Sequence, residues 1–275
     1  MKEKLTIVKV GGAVVEDEEQ LSRLLKDFAA IKGKKVLVHG GGRRATKVAA
    51  SLGIETQMVN GRRITDSRML EVVTMVYGGL VNKNLVARLQ AKGMNALGLT
   101  GADANILHAH KRPPVVIEAP QNTPLPQGGG QEGTIDFGYV GDIDGADGNV
   151  LSDFIEKNIV PVIAPLTHDG EGHLLNTNAD TIASETAKAL APFFDVTLIY
   201  CFEKNGVLSN ADDDNSVIPL ITRDDFDQLV KEGVVAGGMI PKIENALAAV
   251  ESGVSKVVIT KATAIDGVHG TSIMK

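Results

Sequence analysis

The 275-residue chain places one lysine where a lysine is costly: Lys9, inside the β-branched run Leu5-Thr6-Ile7-Val8-Lys9-Val10 that ends in Gly11-Gly12. Such a run reads as a buried strand, and an ammonium inside it must reach a polar space or an anion. Glycines directly after a parallel strand let backbone N–H groups approach a phosphate closely. The competing reading is an edge-strand lysine before an ordinary turn. A second turn, His39-Gly40-Gly41-Gly42, follows the strand Lys35 to Val38 and opens a helix, so its N–H groups and the helix dipole form a ready anion site. Arg62-Arg63 could hold a carboxylate in a bidentate fork, although neighbouring arginines at a helix start are usually surface charge. Asn176, Asn178 and Asp180 occupy a strand-to-helix turn, where Asn and Asp commonly cap. Lys242 stands at a helix start behind Gly237-Gly238-Met239-Ile240-Pro241. Each of these, taken singly, also fits an ordinary structural role.

Other chemistries lack their partners. A His-Gly-Gly-Gly turn can form the oxyanion hole of an α/β-hydrolase, but the chain has no G-x-S-x-G elbow. Gly128-Gly-Gly130-Gln-Glu-Gly133 spells G-x-G-x-x-G, yet it follows a proline-rich stretch instead of a strand and reads as a flexible loop. No G-x-x-x-x-G-K-[ST] occurs, which removes the P-loop nucleotidases. Asp142, Asp144 and Asp147, and the run Asp212 to Asp214, lack the spacing of a Ca²⁺ loop and read as solvated loops. No Cys/His set has zinc spacing, and Cys201 reads as a buried apolar residue.

The elements that must position these residues alternate. Leu21, Leu24, Leu25 and Phe28 have helical spacing, which predicts an amphipathic helix over 17–31 returning across the sheet. The first seventy residues thus give strand, helix, strand, glycine turn, helix, a right-handed parallel βαβ opening. A long helical stretch spans 66–92, with Gly78-Gly79 inside it as a point of close packing or a break and Gly93 as its cap. Residues 108–148, with five prolines, predict short strands and hairpins in a flap outside the main sheet. Alternation resumes with a helix at 149–158, a strand at 160–164, the turn Asp169 to Gly172 and a helix ending near Leu190. Pro192 is the best domain boundary, dividing the chain into 1–192 and 193–275. Beyond it lie the strand Val196 to Tyr200, a helix capped by Thr222 with Asp225 three residues on, another helix after Gly237-Gly238-Met239, and the last long strand at 256–260, with Gly270-Thr271-Ser272-Ile273 closing the chain.

Composition bounds the partners. The net charge of −6 argues against a general nucleic-acid surface, so an anionic ligand needs positive charge concentrated locally. No apolar run approaches the roughly eighteen residues needed to span a membrane. Met1 to Lys4 leads into the first strand without a signal-peptide core, and a single cysteine suits a reducing cytoplasm.

In combination the motifs are specific. Lys9-x-Gly-Gly12, His39-Gly-Gly-Gly42, Asn60-Gly-x-Arg63-x-Thr65, Asn176-x-Asn178-Ala-Asp180 and Gly238-Met-x-x-Lys242 resemble the amino-acid kinase family, most closely its N-acetyl-L-glutamate-phosphorylating branch. The resemblance runs from about residue 5 to Gly270-Thr-Ser-Ile273. It implies an open, mainly parallel eight-stranded αβα sandwich, with the acceptor on the N-terminal lobe and ATP on the C-terminal lobe. It implies phosphoryl transfer from ATP, with Mg²⁺ held mainly by the phosphates, to the γ-carboxylate of an N-acylated glutamate, the second step of arginine biosynthesis. By the same match Lys9 and Lys242 flank the transferring phosphoryl group, Asp180 orients the lysines, and N–H groups near Gly12 and Gly41 supply further donors. Arg63 and Asn176 grip the acceptor's α-carboxylate beside Gly41 and Gly42, and Lys9, Gly11, Gly12, Glu203, Gly206 and Lys242 meet the nucleotide. No side-chain base is required, because a carboxylate is already ionised.

The chain departs from the family pattern at Phe202-Glu203-Lys204-Asn205-Gly206, where Glu203 stands for the usual aspartate, and at a longer, proline-rich 108–135 that could cover the acyl end, so the acyl group could be acetyl or succinyl. The short N-terminus predicts an arginine-insensitive homodimer in the cytoplasm. Alternatives are another kinase of the same family, for uridylate or free glutamate, and a non-catalytic sensor on the same fold.

Overall fold

A computed structural model describes residues 2–59, 61–116, 134–210, 212–237 and 239–275. Asn60, Gly238 and the Gly128–Gly133 loop lie outside the described residues. The β-branched run forms β1 (Lys4–Val10) and Lys34–His39 forms β2. Ala96–Leu99, Val160–Ile163 and Asp195–Phe202 follow as β3, β4 and β5. Leu220–Ile221, Lys256–Lys261 and Thr271–Ile273 are β6, β7 and β8. They make one sheet in the order β6-β8-β7-β5-β1-β2-β4-β3, parallel except where β8 runs against β7. Pro192 precedes β5, and β5 pairs with β1 from Lys4↔Asp195 to Lys9↔Tyr200, so the sheet is unbroken across that division.

Helices cover both faces. On one side lie α1 (Gly12–Glu16), α2 (Glu18–Ala30), α3 (Gly42–Ser51), α4 (Ser67–Val73) and α5 (Asn82–Gln90). On the other lie α6 (Gly148–Glu156), α7 (Ala179–Leu190), α8 (Arg223–Lys231) and α9 (Met239–Glu251). Strand alternation divides the core between them. Leu5 and Ile7 pack in the layer of Ile182, Ala183 and Ile243, whereas Val8 and Val10 pack with Leu24, Phe28 and Ala45. Lys9 shares the parity of Leu5 and Ile7, so its side chain leaves β1 on the α7 side.

Between α4 and α5 the backbone continues through Thr74–Val81 as a π-helix. The expected 66–92 helix is therefore unbroken but widens its turn from Thr74 to Val81, a stretch that contains Gly78-Gly79; a Cβ on Gly78 would lie 3.5 Å from Leu166 Cδ1. The flap is a small sheet of Leu174–Asn176, Leu166–His168, Leu107–Lys111 and Gly141–Ala146 beside the main one. One expectation is corrected here. Asp142 and Asp144 belong to a strand, not a solvated loop, because Asp142 pairs with Arg112 and Asp144 lies 2.6 Å from His110 Nδ1. Asp147 caps α6 through the N–H groups of Asn149 and Val150. No helix among the described residues is long and apolar enough to cross a membrane.

Candidate active site

Parallel strands deliver their C-terminal ends to one edge of the sheet, where ligands of open α/β folds bind. There the turn after β1 meets the turn after β2. A Cβ on Gly12 would stand 3.3 Å from the Gly42 nitrogen and 3.5 Å from the Gly41 nitrogen, so the two backbones touch without side chains between them. Gly40 N–H donates to the Val10 carbonyl at 2.9 Å and fixes the second turn on the first strand. Gly41 is the N-cap of α3 and makes no side-chain cap, which leaves the helix N-terminus available to an anion.

A cavity of about 220 Å³ opens here, and Lys9, Gly41, Gly42, Arg63, Asn176 and Asp180 all line it. Lys9 Nζ lies 2.6 Å from Asp180 Oδ1, with only 11% and 16% of the two side chains exposed. Asp180 sits in the first turn of α7, where the helix dipole favours its charge, and the Tyr200 hydroxyl donates to its carbonyl at 3.1 Å. Asn178 caps α7 by accepting from Asp180 N–H at 2.7 Å, the ordinary structural role.

Arg63 is buried, not a surface charge. Its guanidinium donates to the Gly42 carbonyl at 2.9 Å and to the hydroxyls of Thr46 at 2.9 Å and Thr56 at 3.1 Å, with Met69 Sδ at 3.9 Å. Asn176 donates to the Thr65 hydroxyl at 2.9 Å from across the cavity.

Lys242 occupies the first turn of α9 and does not line that cavity. Its ammonium stands over the Phe202 ring, 4.0 Å from the centroid, a cation–π contact. Burial pulls the Lys242 ammonium below the usual lysine range; Asp180 opposes this and Lys9 adds to it. Lys242 thus feels the charges of Lys9 and Asp180, but Asp180 forms its ion pair with Lys9.

Glu203 is exposed and pairs with Arg43 at 3.2 Å, on a separate groove of about 510 Å³ shared with Ala13, Val14, Phe202 and Lys261. A Cβ on Gly206 would lie 2.8 Å from Thr271 Oγ1 and from Val217, so close packing on β8 accounts for that glycine. Burial pushes the Cys201 thiol up to about 12, as suits an inert core residue.

Arg62, noted from sequence beside Arg63, also lines the cavity, as do Tyr77 and Val140, which were not singled out from sequence. Tyr77 continues a helical apolar stripe, indistinguishable by pattern from core. Among the described residues, the only grouping of three carboxylate or imidazole ligand atoms within 4.8 Å is Asp169, Glu171 and His173, on a turn that does not line the cavity.

The profile of the amino acid kinase family matches residues 4–261. An acetylglutamate kinase of Bacteroides thetaiotaomicron is 61% identical over 275 residues, covering all of both chains. One from Phocaeicola vulgatus is 59% identical over the same span, again covering both completely. Among solved structures, smu.665 from Streptococcus mutans superposes with a TM-score of 0.73 at 29% identity, covering 98% of each chain. The match over nearly the whole length, on a fold with two glycine turns meeting at the sheet edge, means that this chain belongs to the amino acid kinase family.

Proposed function

We propose that the chain is an acetylglutamate kinase, which transfers the γ-phosphoryl group of MgATP to the γ-carboxylate of N-acetyl-L-glutamate. Full-length relatives of that name at 59–61% identity support the reading. The single structural observation that carries it is the gathering of Lys9, Gly41, Gly42, Arg63, Asn176 and Asp180 around one cavity.

Acceptor and donor are both anions, so catalysis consists of neutralising repulsion and holding the groups in line. Lys9 and Lys242 supply positive charge to the transferring group from either side. Asp180 holds Lys9 in place, and the N–H groups around Gly12 and Gly41 donate to the oxygens where charge grows. Arg63 and Asn176 take the acceptor's α-carboxylate. Because the terminal Arg63 N–H groups already hold the Gly42 carbonyl and two threonines, a bound carboxylate uses Nε–H or displaces a weaker contact. The acceptor then lies in the N-terminal half, 1–192. The nucleotide lies toward Glu203, Gly206 and Lys242 in 193–275, with Gly11 and Gly12 between them.

A protein-held magnesium does not fit the cavity. Among its described lining residues the one carboxylate is Asp180, already paired with Lys9. Mg²⁺ therefore belongs to the MgATP substrate, carried by phosphate oxygens. The working unit in this reading is a cytoplasmic homodimer, supported by the exposed Met75 and Leu80 on one helical face and by a lone, buried cysteine.

ADP release with N-acetylglutamate, N-succinylglutamate, free glutamate and UMP compared, together with hydroxamate trapping of the acyl phosphate from the three carboxylate acceptors, tests the assignment. The expected order puts an N-acylated glutamate first. Faster turnover of free glutamate or UMP would assign the chain to another branch, and binding without ADP release would make it a sensor.

A further inference from the structure

The π-helical stretch Thr74–Val81 has a consequence for the glycine turn. In an α-helix residues five apart diverge by about 140°, whereas the wider turn of a π-helix, bonded i to i+5, brings them nearer to one face. Tyr77 and Asn82 are five apart, and both are buried, at 5% and 1% exposure. Both reach the turn that follows β2. A Cβ on Gly41 would lie only 2.8 Å from Tyr77 Cδ1, so the phenol ring backs that residue directly.

Asn82 acts one step further away. Its Nδ2 donates to the Val162 carbonyl on β4 at 2.9 Å, which fixes the amide's orientation because a carbonyl cannot donate. The same nitrogen lies 3.1 Å from His39 Nε2 and must donate there too. His39 Nε2 is therefore the acceptor, Nδ1 carries the proton, and Nδ1–H donates to the Gly40 carbonyl at 3.0 Å. Lys83 Nζ completes the amide by donating to Oδ1 at 3.2 Å. Space for the amide is cut from β3: a Cβ on Gly98 would lie 1.9 Å from Asn82 Oδ1. The Gly40 peptide is thus held at both ends, its N–H by Val10 and its C=O by His39.

We propose that Asn82 is a positioning residue for phosphoryl transfer: through the His39 ring it fixes the Gly40 carbonyl and so aims the Gly41 and Gly42 N–H groups into the cavity, with Tyr77 bracing the turn from behind. This rests on the function proposed above. Complete burial, which holds His39 down to about 4, keeps the ring neutral at physiological pH, as an acceptor at Nε2 requires.

Asn82→Asp tests the relay in the full chain. An ionised carboxylate of the same shape cannot donate to Nε2 and accepts from it instead, so Nε2 gains a proton, by exchange with Nδ1 or by charging the ring, and the neutral accepting state that holds the Gly40 carbonyl in the wild-type protein is lost. The expected results are a proton gained at His39 Nε2 by ¹⁵N NMR and shifted amide signals at Gly41 and Gly42. Turnover is expected to fall about 10- to 100-fold, with both KM values within about threefold. Unmoved Gly41 and Gly42 amides, whatever happens to turnover, would overturn the proposal. So would an Nε2–H tautomer in the wild-type protein, a measurement that needs no variant to fold. Both NMR signatures are read on the unliganded protein. Wild-type signals as expected, together with no kinase activity in the acceptor panel, would overturn the function and leave the relay's geometry intact.

Discussion

Replacing Lys9 by methionine separates what the ion pair does for folding from what it does for chemistry. At 2.6 Å and an effective dielectric near 20, the attraction to Asp180 is about 6 kcal/mol. Desolvating two nearly buried ions costs several kcal/mol each and offsets that gain, so against an apolar pair of similar volume the net is close to zero. Removing one partner alone is different, because it strands a buried carboxylate at about 3–5 kcal/mol. Asp180 keeps 16% exposure and the favourable end of the α7 dipole, which puts the expected loss near the lower bound, about 3 kcal/mol. For a chain of this size that lowers Tm by about 6–12 °C. Adding Asp180→Leu to Lys9→Met removes the stranded charge and should return stability to within about 1 kcal/mol of wild type. Turnover should stay at least about 10²-fold low in both variants, since the charge facing the phosphoryl group is gone. Thermal and urea unfolding, with an ADP-release assay, read the two effects separately. A double variant no more stable than Lys9→Met would refute the stranded-charge account, and near-wild-type turnover in Lys9→Met would refute the catalytic one.

Lys242→Ala should lower kcat about 10²-fold while leaving Tm within about 2 °C, because this ammonium rests on the Phe202 ring and not in a buried ion pair; a large loss of Tm with intact kcat would reverse its assignment. His39 predicts a pH effect of definite sign. Its native value of about 4 lies below the ordinary 6.5, so the unfolded chain binds a proton that the folded ring refuses. Stability is full above about 6.5 and falls by about 3 kcal/mol as the pH is lowered to about 4. Urea unfolding of wild type and His39→Gln across that window should diverge by this slope, and parallel profiles would contradict it.

Much of this was legible because the deciding rule is local. The parity of Leu5, Ile7 and Lys9 sets which face of β1 the ammonium leaves, and the capping box of Thr222 and Asp225 follows from residue type and spacing alone. Arg63 stood out by residue type and position, but its burial was not legible, since that depends on Gly42 and Thr46 some twenty residues earlier. Asp142 and Asp144 looked like loop acids because their partners, Arg112 and His110, lie across a ladder that spacing does not reveal. The change from α to π turns over Thr74–Val81 accompanies close packing of Gly78 on Leu166 and of Tyr77 on Gly41, and a 3.6-residue pattern has no way to announce it.

The contact between Gly12 and Gly42 has a consequence for how this centre can be re-engineered. Where a Cβ on Gly12 would meet the Gly42 nitrogen at 3.3 Å, there is no side chain to lengthen, shorten or recharge. If the cavity takes the acceptor as proposed, changes of preference between related acceptors fall to other lining residues, of which Met58, Val140 and Pro165 offer replaceable bulk. Directed variation of those three positions should retune selectivity, whereas a side chain at Gly12 requires the Gly42 main chain to give by a few tenths of an ångström.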